Sequence, residues 1–321
     1  MNNLRIVFMG TPEFAVASLA ILLKNNYNVV GVITVPDKPA GRGQQLQQSA
    51  IKKYALEKGL TVLQPEKLKN ELFLSQLASL NANLQIVVAF RMLPEVVWNM
   101  PNLGTVNLHG SLLPQYRGAA PINHAIINGE DETGVSTFFL QQEIDTGKII
   151  FREKTTIAAN ENAGELHDRL MNIGAALILK TVKAIEIGSY PQLNQADLLP
   201  ANSTLKSAPK IYKEDCKINW SLSLMDIHNQ IRGLSPYPTA FTNLIAPDGS
   251  VYVLKIFDAS IEKVNHSHPN KCIFTDSKNY IKIAVKSGLI VISELQLAGK
   301  KRMNTKDFLR GFALNDEWQL N

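Results

Sequence analysis

Cysteine is nearly absent: Cys216 and Cys272 are the only two in 321 residues, and they do not form a CxxC pair. A disulfide framework and a zinc site built on thiolates are therefore not expected, and a reducing, cytosolic setting is. Long apolar runs are missing as well. No stretch approaches the ~18 residues that a membrane span needs. The apolar N-terminus, which follows Arg5, is broken by Pro12 and Glu13, as in a strand turning into a helix rather than a secretion signal. Short-period repeats and low-complexity tracts are lacking. Charge of one sign is also scarce. Lys and Arg number 33 against 28 Asp and Glu, giving a net charge of +5. Four of those five charges fall from Ser207 onward, where 15 basic residues face 11 acidic ones. That asymmetry fits an anionic partner, and it equally fits an ordinary basic surface. What remains is a soluble globular mixture, 45% hydrophobic and 19% charged, long enough for about two domains.

The first two-thirds alternate between strand and helix patterns. Leu4–Met9, Val29–Val35, Leu84–Phe90, Thr105–His109 and Val135–Leu140 read as strands. Helices are expected from Pro12, with Phe14, Ala17, Leu19, Leu22 and Leu23 facing inward, over Ile51–Lys58 and over Glu161–Ile187. Strands separated by helices in this order imply an α/β fold, a Rossmann-like, mainly parallel open sheet. Around Gly188–Pro209 the pattern lapses into a polar stretch with three prolines, which suits a linker. Beyond it a helical segment near Leu224–Arg232 precedes five short strands: Tyr237–Ile245, Val251–Phe257, Cys272–Thr275, Tyr280–Ala284 and Leu289–Leu297. These suggest a second, small OB-like β-barrel domain. The expected division is residues 1–188, a linker over 189–209, and 210–321.

Gly10-Thr11-Pro12-Glu13-Phe14 sits where a dinucleotide fingerprint would. Pro12 and Ala15 occupy the second and third glycine positions, so a nicotinamide site is not expected. The densest polar cluster runs from Asn107 to Gly118. Asn107 and His109 lie two apart at a strand end and point to the same side, where open α/β sheets bind ligands. The alternative is that both merely satisfy loop backbone groups. Asp145, in Ile144-Asp145-Thr146-Gly147, is a turn residue or cap unless the fold brings it to His109. A carboxylate beside that imidazole would orient it and favour its charged form. Ser111 lacks the GxSxG context of a nucleophile, and no spacing suggests a metal. The loop Pro36–Leu46 is long for a connection after a strand, and Gly41 and Gly43 flank Arg42. With Lys38 nearby it suits phosphate or base contact, or a plain solvated loop.

Together these segments resemble the 10-formyltetrahydrofolate-dependent formyltransferases. The resemblance rests on HGSLLPQYRGAAPI (His109–Ile122), on Asn107 before it and on Asp145 in an IDTG context. The PDKPAGRGQQL loop resembles the insertion of those members that act on methionyl-tRNA. KIYKEDCKINW (Lys210–Trp220) and IRGLSPYPTAFT (Ile231–Thr242) are similar to their entry into the C-terminal domain. Ala89-Phe90-Arg91-Met92-Leu93-Pro94 departs from the usual AYGxxLP pattern by one residue and its glycine. The resemblance implies transfer of a formyl group from 10-formyltetrahydrofolate, a donor cosubstrate, to the α-amine of methionyl initiator tRNA. It implies Asn107 and His109 as donors to the oxyanion and Asp145 as the group holding His109. Ser111, Leu112, Leu113 and Pro114 would line the folate site, and Arg42, Lys38 and Lys210 would meet the tRNA. A cytoplasmic monomer is implied, with neither metal nor membrane. Two other outcomes stay open: a formyltransferase for an amino sugar nucleotide, whose relatives lack the GRG loop, and a tRNA-binding protein without catalysis. A folate-dependent hydrolase is a further enzymatic alternative.

Overall fold

The computed structural model describes residues 3–40, 45–199 and 204–321. The chain forms two compact units that interleave in sequence. The first takes in residues up to Gly118, then Thr133–Thr155 and His167–Ser207; the second takes in Ala119–Glu132, Thr156–Leu166 and Ala208–Asn321. Among the described residues no helix is long and apolar enough to cross a membrane.

In chain order the first part runs β1 (Arg5–Gly10), α1 (Glu13–Lys24), β2 (Asn28–Ile33), β3 (Lys38–Ala40), β4 (Gln45–Gln47) and α2 (Ala50–Glu57). It continues with β5 (Val62–Leu63), α3 (Glu71–Ser79), β6 (Leu84–Val88), α4 (Glu95–Trp98), β7 (Thr105–His109) and β8 (Arg117–Gly118). Next come α5 (Pro121–Ile127), β9 (Glu132–Phe139), β10 (Ile149–Thr156) and α6 (Ala163–Ile187). The main sheet has the order β10-β9-β7-β6-β1-β2-β5. β1 pairs in parallel with both β2 and β6, β2 with β5, and β6 with β7, while β9 is antiparallel to β7. This is the expected mainly parallel Rossmann-like sheet. Buried on both faces, β1 and β6 are nearly continuous apolar runs, interrupted only by Arg5 at the start of β1 and the buried Gln85 in β6. Chain order reverses beside β1, whose successors lie on one side and β6 and β7 on the other, so a switch point opens at its carboxyl end. There Gly10 lets the backbones close up, since a Cβ would lie 2.6 Å from that of Ala15. The inward face of α1 is Phe14, Ala15, Ser18, Leu19 and Leu22; Ala17 and Leu23 are only half-buried.

The polar stretch after α6 is not bare chain. Leu193 exchanges both backbone hydrogen bonds with Ile149, and a short 3-10 turn follows over Gln195–Leu198, so residues up to Ser207 belong to the first unit.

After β11 (Ser207–Ala208), the second unit is built on α7 (Leu224–Leu234), β12 (Ala240–Ile245), β13 (Val251–Glu262), β14 (Ile273–Thr275), β15 (Ile281–Val285) and β16 (Gly288–Leu297). Then come β17 (Met303–Asn304), α8 (Thr305–Gly311) and β18 (Gln319–Leu320). The order β14-β15-β16-β13-β12-β18 is antiparallel at every described pairing, giving the expected small barrel-like sheet. Its core holds Trp220, Ile227, Ile231, Leu254, Ile256, Ile283, Ile292 and Leu295. β12 starts at Ala240 rather than Tyr237, because Pro236 and Pro238 have no N–H for a ladder. Tyr237 between them is 83% exposed.

Candidate active site

β7 ends the chain's approach to the site. Its residues Asn107 and His109 stand two apart on one face, opposite Phe138 and Ser136 of β9. His109 is buried, and Asn107 is half-buried. The half-buried Asn107 amide makes no hydrogen bond to any described residue, so its donor and acceptor atoms stay available to a ligand.

The loop that follows folds back over His109, and side-chain bonds to its backbone pin it. Ser136 Oγ donates to the Ser111 carbonyl at 2.7 Å and accepts from Leu113 N at 3.0 Å. Ser111 Oγ donates to the Gln115 carbonyl at 2.6 Å, and Arg152 donates to the Leu113 carbonyl at 3.1 Å. Tyr116 takes a left-handed backbone, φ 60°, which turns its carbonyl onto His109 Nε2 at 2.8 Å. A carbonyl only accepts, so Nε2 carries a proton and Nδ1 is the nitrogen left to face other groups. Nδ1 lies 3.8 Å from Asp145 Oδ2. The fold thus does bring Asp145 to His109. The same Oδ2 accepts from Gly118 N at 3.0 Å, tying the Asp145 turn to the far end of the loop. Asp145 is itself left-handed at φ 55°, and Gly147 two residues on can only be glycine, since a Cβ would lie 1.7 Å from the Phe139 carbonyl oxygen.

Of the segment expected to line a folate site, Ser111 and Leu113 are fully buried, the latter packed on Phe138 and Ile149. Their side chains shape the loop, and Leu112 is the half-buried member. The Ala89–Pro94 segment leaves β6 next to β7. Ala89 is left-handed at φ 47°, Leu93 anchors in the core with Val97, and Met92 is 74% exposed. Arg91 reaches back to the carbonyls of Pro65 and Glu66.

The loop read as a contact arm is a hairpin of β3 and β4, with Lys38 opposite Gln47. Arg42 lies outside the described residues. Lys38 is exposed on the first arm. Two side-chain links cross the hairpin's base: Thr34 Oγ1 to Ser49 Oγ at 2.8 Å, and Lys52 Nζ to Asp37 Oδ2 at 2.6 Å. Gln64 adds a hydrogen bond to Asp37 Oδ1 at 2.8 Å. The bonds from Lys52 and Gln64 hold the Asp37 carboxyl below the usual range. In the second unit Lys210 is exposed beside the Tyr212 ring, 5.2 Å from its centroid. Sequence reasoning missed Ser136, the backbone of Tyr116 and Gly118, and Gln195, none of which carries a local motif.

Comparison with known proteins shows the family. A family model described as formyl transferase matches residues 4–182, and one described as formyl transferase, C-terminal domain, matches 210–313. The methionyl-tRNA formyltransferase of Bacteroides thetaiotaomicron is 54% identical over 100% of this chain and 99% of its own length. That of Parabacteroides distasonis is 57% identical over 97% and 96%. Among solved structures, the sugar 3N-formyltransferase WlaRD, crystallised with dTDP and 5-N-formyl-THF, shares the fold. Its TM-score is 0.63 at 24% identity, over 94% of this chain and 100% of that one. HypX from Aquifex aeolicus also shares it, with a TM-score of 0.65 at 15% identity over 98% of this chain and 51% of its own. More than half identical along its full length to such relatives, the chain belongs to the formyl transferase family, among the methionyl-tRNA formyltransferases.

Proposed function

We propose that this chain transfers the formyl group of 10-formyltetrahydrofolate to the free α-amine of methionine on initiator tRNA. The observation that carries the reading is the unengaged Asn107 amide beside His109 at the carboxyl end of β7, with Asp145 3.8 Å from the ring. Attack by an amine on a formyl carbon needs a polarised carbonyl oxygen and a route for protons. Asn107 and the Nδ1 side of His109 supply the donors, aimed where an oxyanion develops. With Nε2 already committed to Tyr116, Nδ1 is the ring nitrogen turned toward Asp145 and the reacting groups. Asp145 also orients the ring and helps carry the proton lost by the attacking amine to the folate nitrogen, whose bond to the formyl carbon breaks as tetrahydrofolate leaves. The half-buried amide and the ring fit a carbonyl oxygen, and the Ser111–Pro114 loop beside them is the wall for the folate.

The polyanionic substrate is met by basic groups: Lys38 and Arg42 in the first part of the chain, and Lys210 with the basic excess from Ser207 onward. The enzyme works as a cytoplasmic monomer. A direct test compares charged initiator tRNA, free methionine and an amino sugar nucleotide as formyl acceptors. Rapid formylation of the tRNA alone is expected; preference for the amino sugar nucleotide would overturn the assignment. Replacing Asn107 or His109 by alanine should lower kcat ~100- to 1000-fold with little change in the melting temperature. Near-normal turnover would remove that residue from the mechanism.

A further inference from the structure

Among the described residues between α6 and β11, one side chain is buried, and its contacts all lead to the site. Gln195 is only 4% exposed. Its Oε1 accepts from Arg117 Nε at 3.0 Å and from a second Arg117 guanidinium nitrogen at 2.6 Å. Its Nε2 donates to the Asp145 carbonyl at 2.7 Å and to the Gly147 carbonyl at 2.9 Å. A glutamine amide has two donor hydrogens and an oxygen with two lone pairs, so all four capacities are used. No other side chain of this size can do the same. Glutamate cannot donate to two carbonyls, leucine can do neither, and asparagine is one methylene short.

These contacts close a ring. His109 Nε2 is fixed on Tyr116, Arg117 follows in sequence, and Gly118 N holds the Asp145 carboxylate. Gln195 ties the Arg117 side chain back to the Asp145 backbone. Asp145 sits in the left-handed region without a glycine's freedom, so its turn needs support from its neighbours. Its carboxylate stands 3.8 Å from the ring, within ion-pair distance but about 0.6 Å or more beyond hydrogen-bond reach, so the backbone position of the turn decides how closely the two groups approach.

We propose that Gln195 is a positioning residue for formyl transfer, an amide bracket that holds the Arg117 loop and the Asp145 turn in register so that Asp145 meets His109. The inference rests on the roles given above to Asp145 and His109. It requires that Gln195 act through Asp145, which sets it apart from a residue that only supports the fold.

The test is a double-mutant cycle on the full chain. Gln195→Leu should lower kcat ~10- to 100-fold, as loss of an orienting partner typically does. KM for both substrates should stay near the wild-type values. On an Asp145→Asn background the same substitution should cost almost nothing further, because the group it positions is already disabled. Gln195→Glu keeps the acceptor for Arg117, which guards the fold, and loses both carbonyl contacts; it should be as slow as Gln195→Leu. Wild-type kcat in Gln195→Glu, or losses that multiply in the double mutant, would overturn the inference while leaving the role of Asp145 intact. Wild-type kcat in Asp145→Asn alone would overturn the underlying mechanism, and this inference with it.

Discussion

Single residues decide the shape of the site through groups that are costly to leave unpaired. Ser136 is fully buried and bridges Ser111 and Leu113 with one hydroxyl. Ser136→Ala strands the Leu113 N–H, and should cost ~1–3 kcal/mol in denaturant unfolding together with a loss of activity. Tyr27 gives a pH test. Burial first, and then the Glu186 carboxylate, push its phenol up to about 12 from 10.0. Its contribution is complete below pH 10 and is lost as the pH rises towards 12, because only the unfolded chain releases the proton in that window. Tyr27→Phe should therefore flatten the fall in stability over that range in melts recorded at successive pH values. At this scale the motif made Asn107, His109 and Asp145 legible. Gln195 was not, because its partners lie 78 and 50 residues away and no local pattern signals them.

At the scale of elements, the hairpin of β3 and β4 owes its direction to the links across its base. Asp37 precedes one arm, and Lys52 stands in the first turn of α2 after the other. Asp37→Asn removes the ion pair, so trypsin should cut within residues 38–47 faster than in the wild type, with the melting temperature little changed. The lowered carboxyl value means that this link is intact above the ordinary carboxylate range and is lost as the pH falls through that lower value. In the second unit α7 buries Arg232, which donates to the Glu161 carbonyl at 2.9 Å and to Asn229 Oδ1 at 2.9 Å. Arg232→Met leaves those acceptors unpaired and should destabilise by ~2–4 kcal/mol in denaturant unfolding. Strand and helix positions were largely visible in the sequence, since buried parallel strands need nearly continuous apolar runs. Boundaries were visible only where proline or glycine marked them. The helices α3 and α8 are short, too short for their periodicity to stand out, and the contacts of residues 189–199 are set by partners elsewhere in the chain.

For the whole molecule, the basic excess from Ser207 onward predicts that salt weakens use of the tRNA. Going from 50 to 200 mM salt should raise KM for tRNA by ~10-fold or more even if only two phosphates are contacted, and should leave KM for the folate nearly unchanged. A salt-independent KM for tRNA would argue against phosphate tracking. The interleaved units make a second prediction. A fragment of residues 210–321 lacks α5, whose Asn123 donates to the Gly233 carbonyl at 2.8 Å and whose Ile127 packs on the barrel core. It should melt lower or precipitate, whereas the full chain should not. Taken alone, the sequence determined the α/β part followed by a small barrel-like part, the family and the catalytic candidates, because periodicity and short motifs are properties of neighbouring residues. Only the tertiary structure decided that Asp145 stands beside His109, that Nε2 is committed to Tyr116, that Gln195 brackets the site and that residues 119–132 and 156–166 belong with the barrel. The reason is that hydrogen-bond partners and packed faces are chosen by proximity in space, and proximity between distant segments is written in no local stretch of the chain.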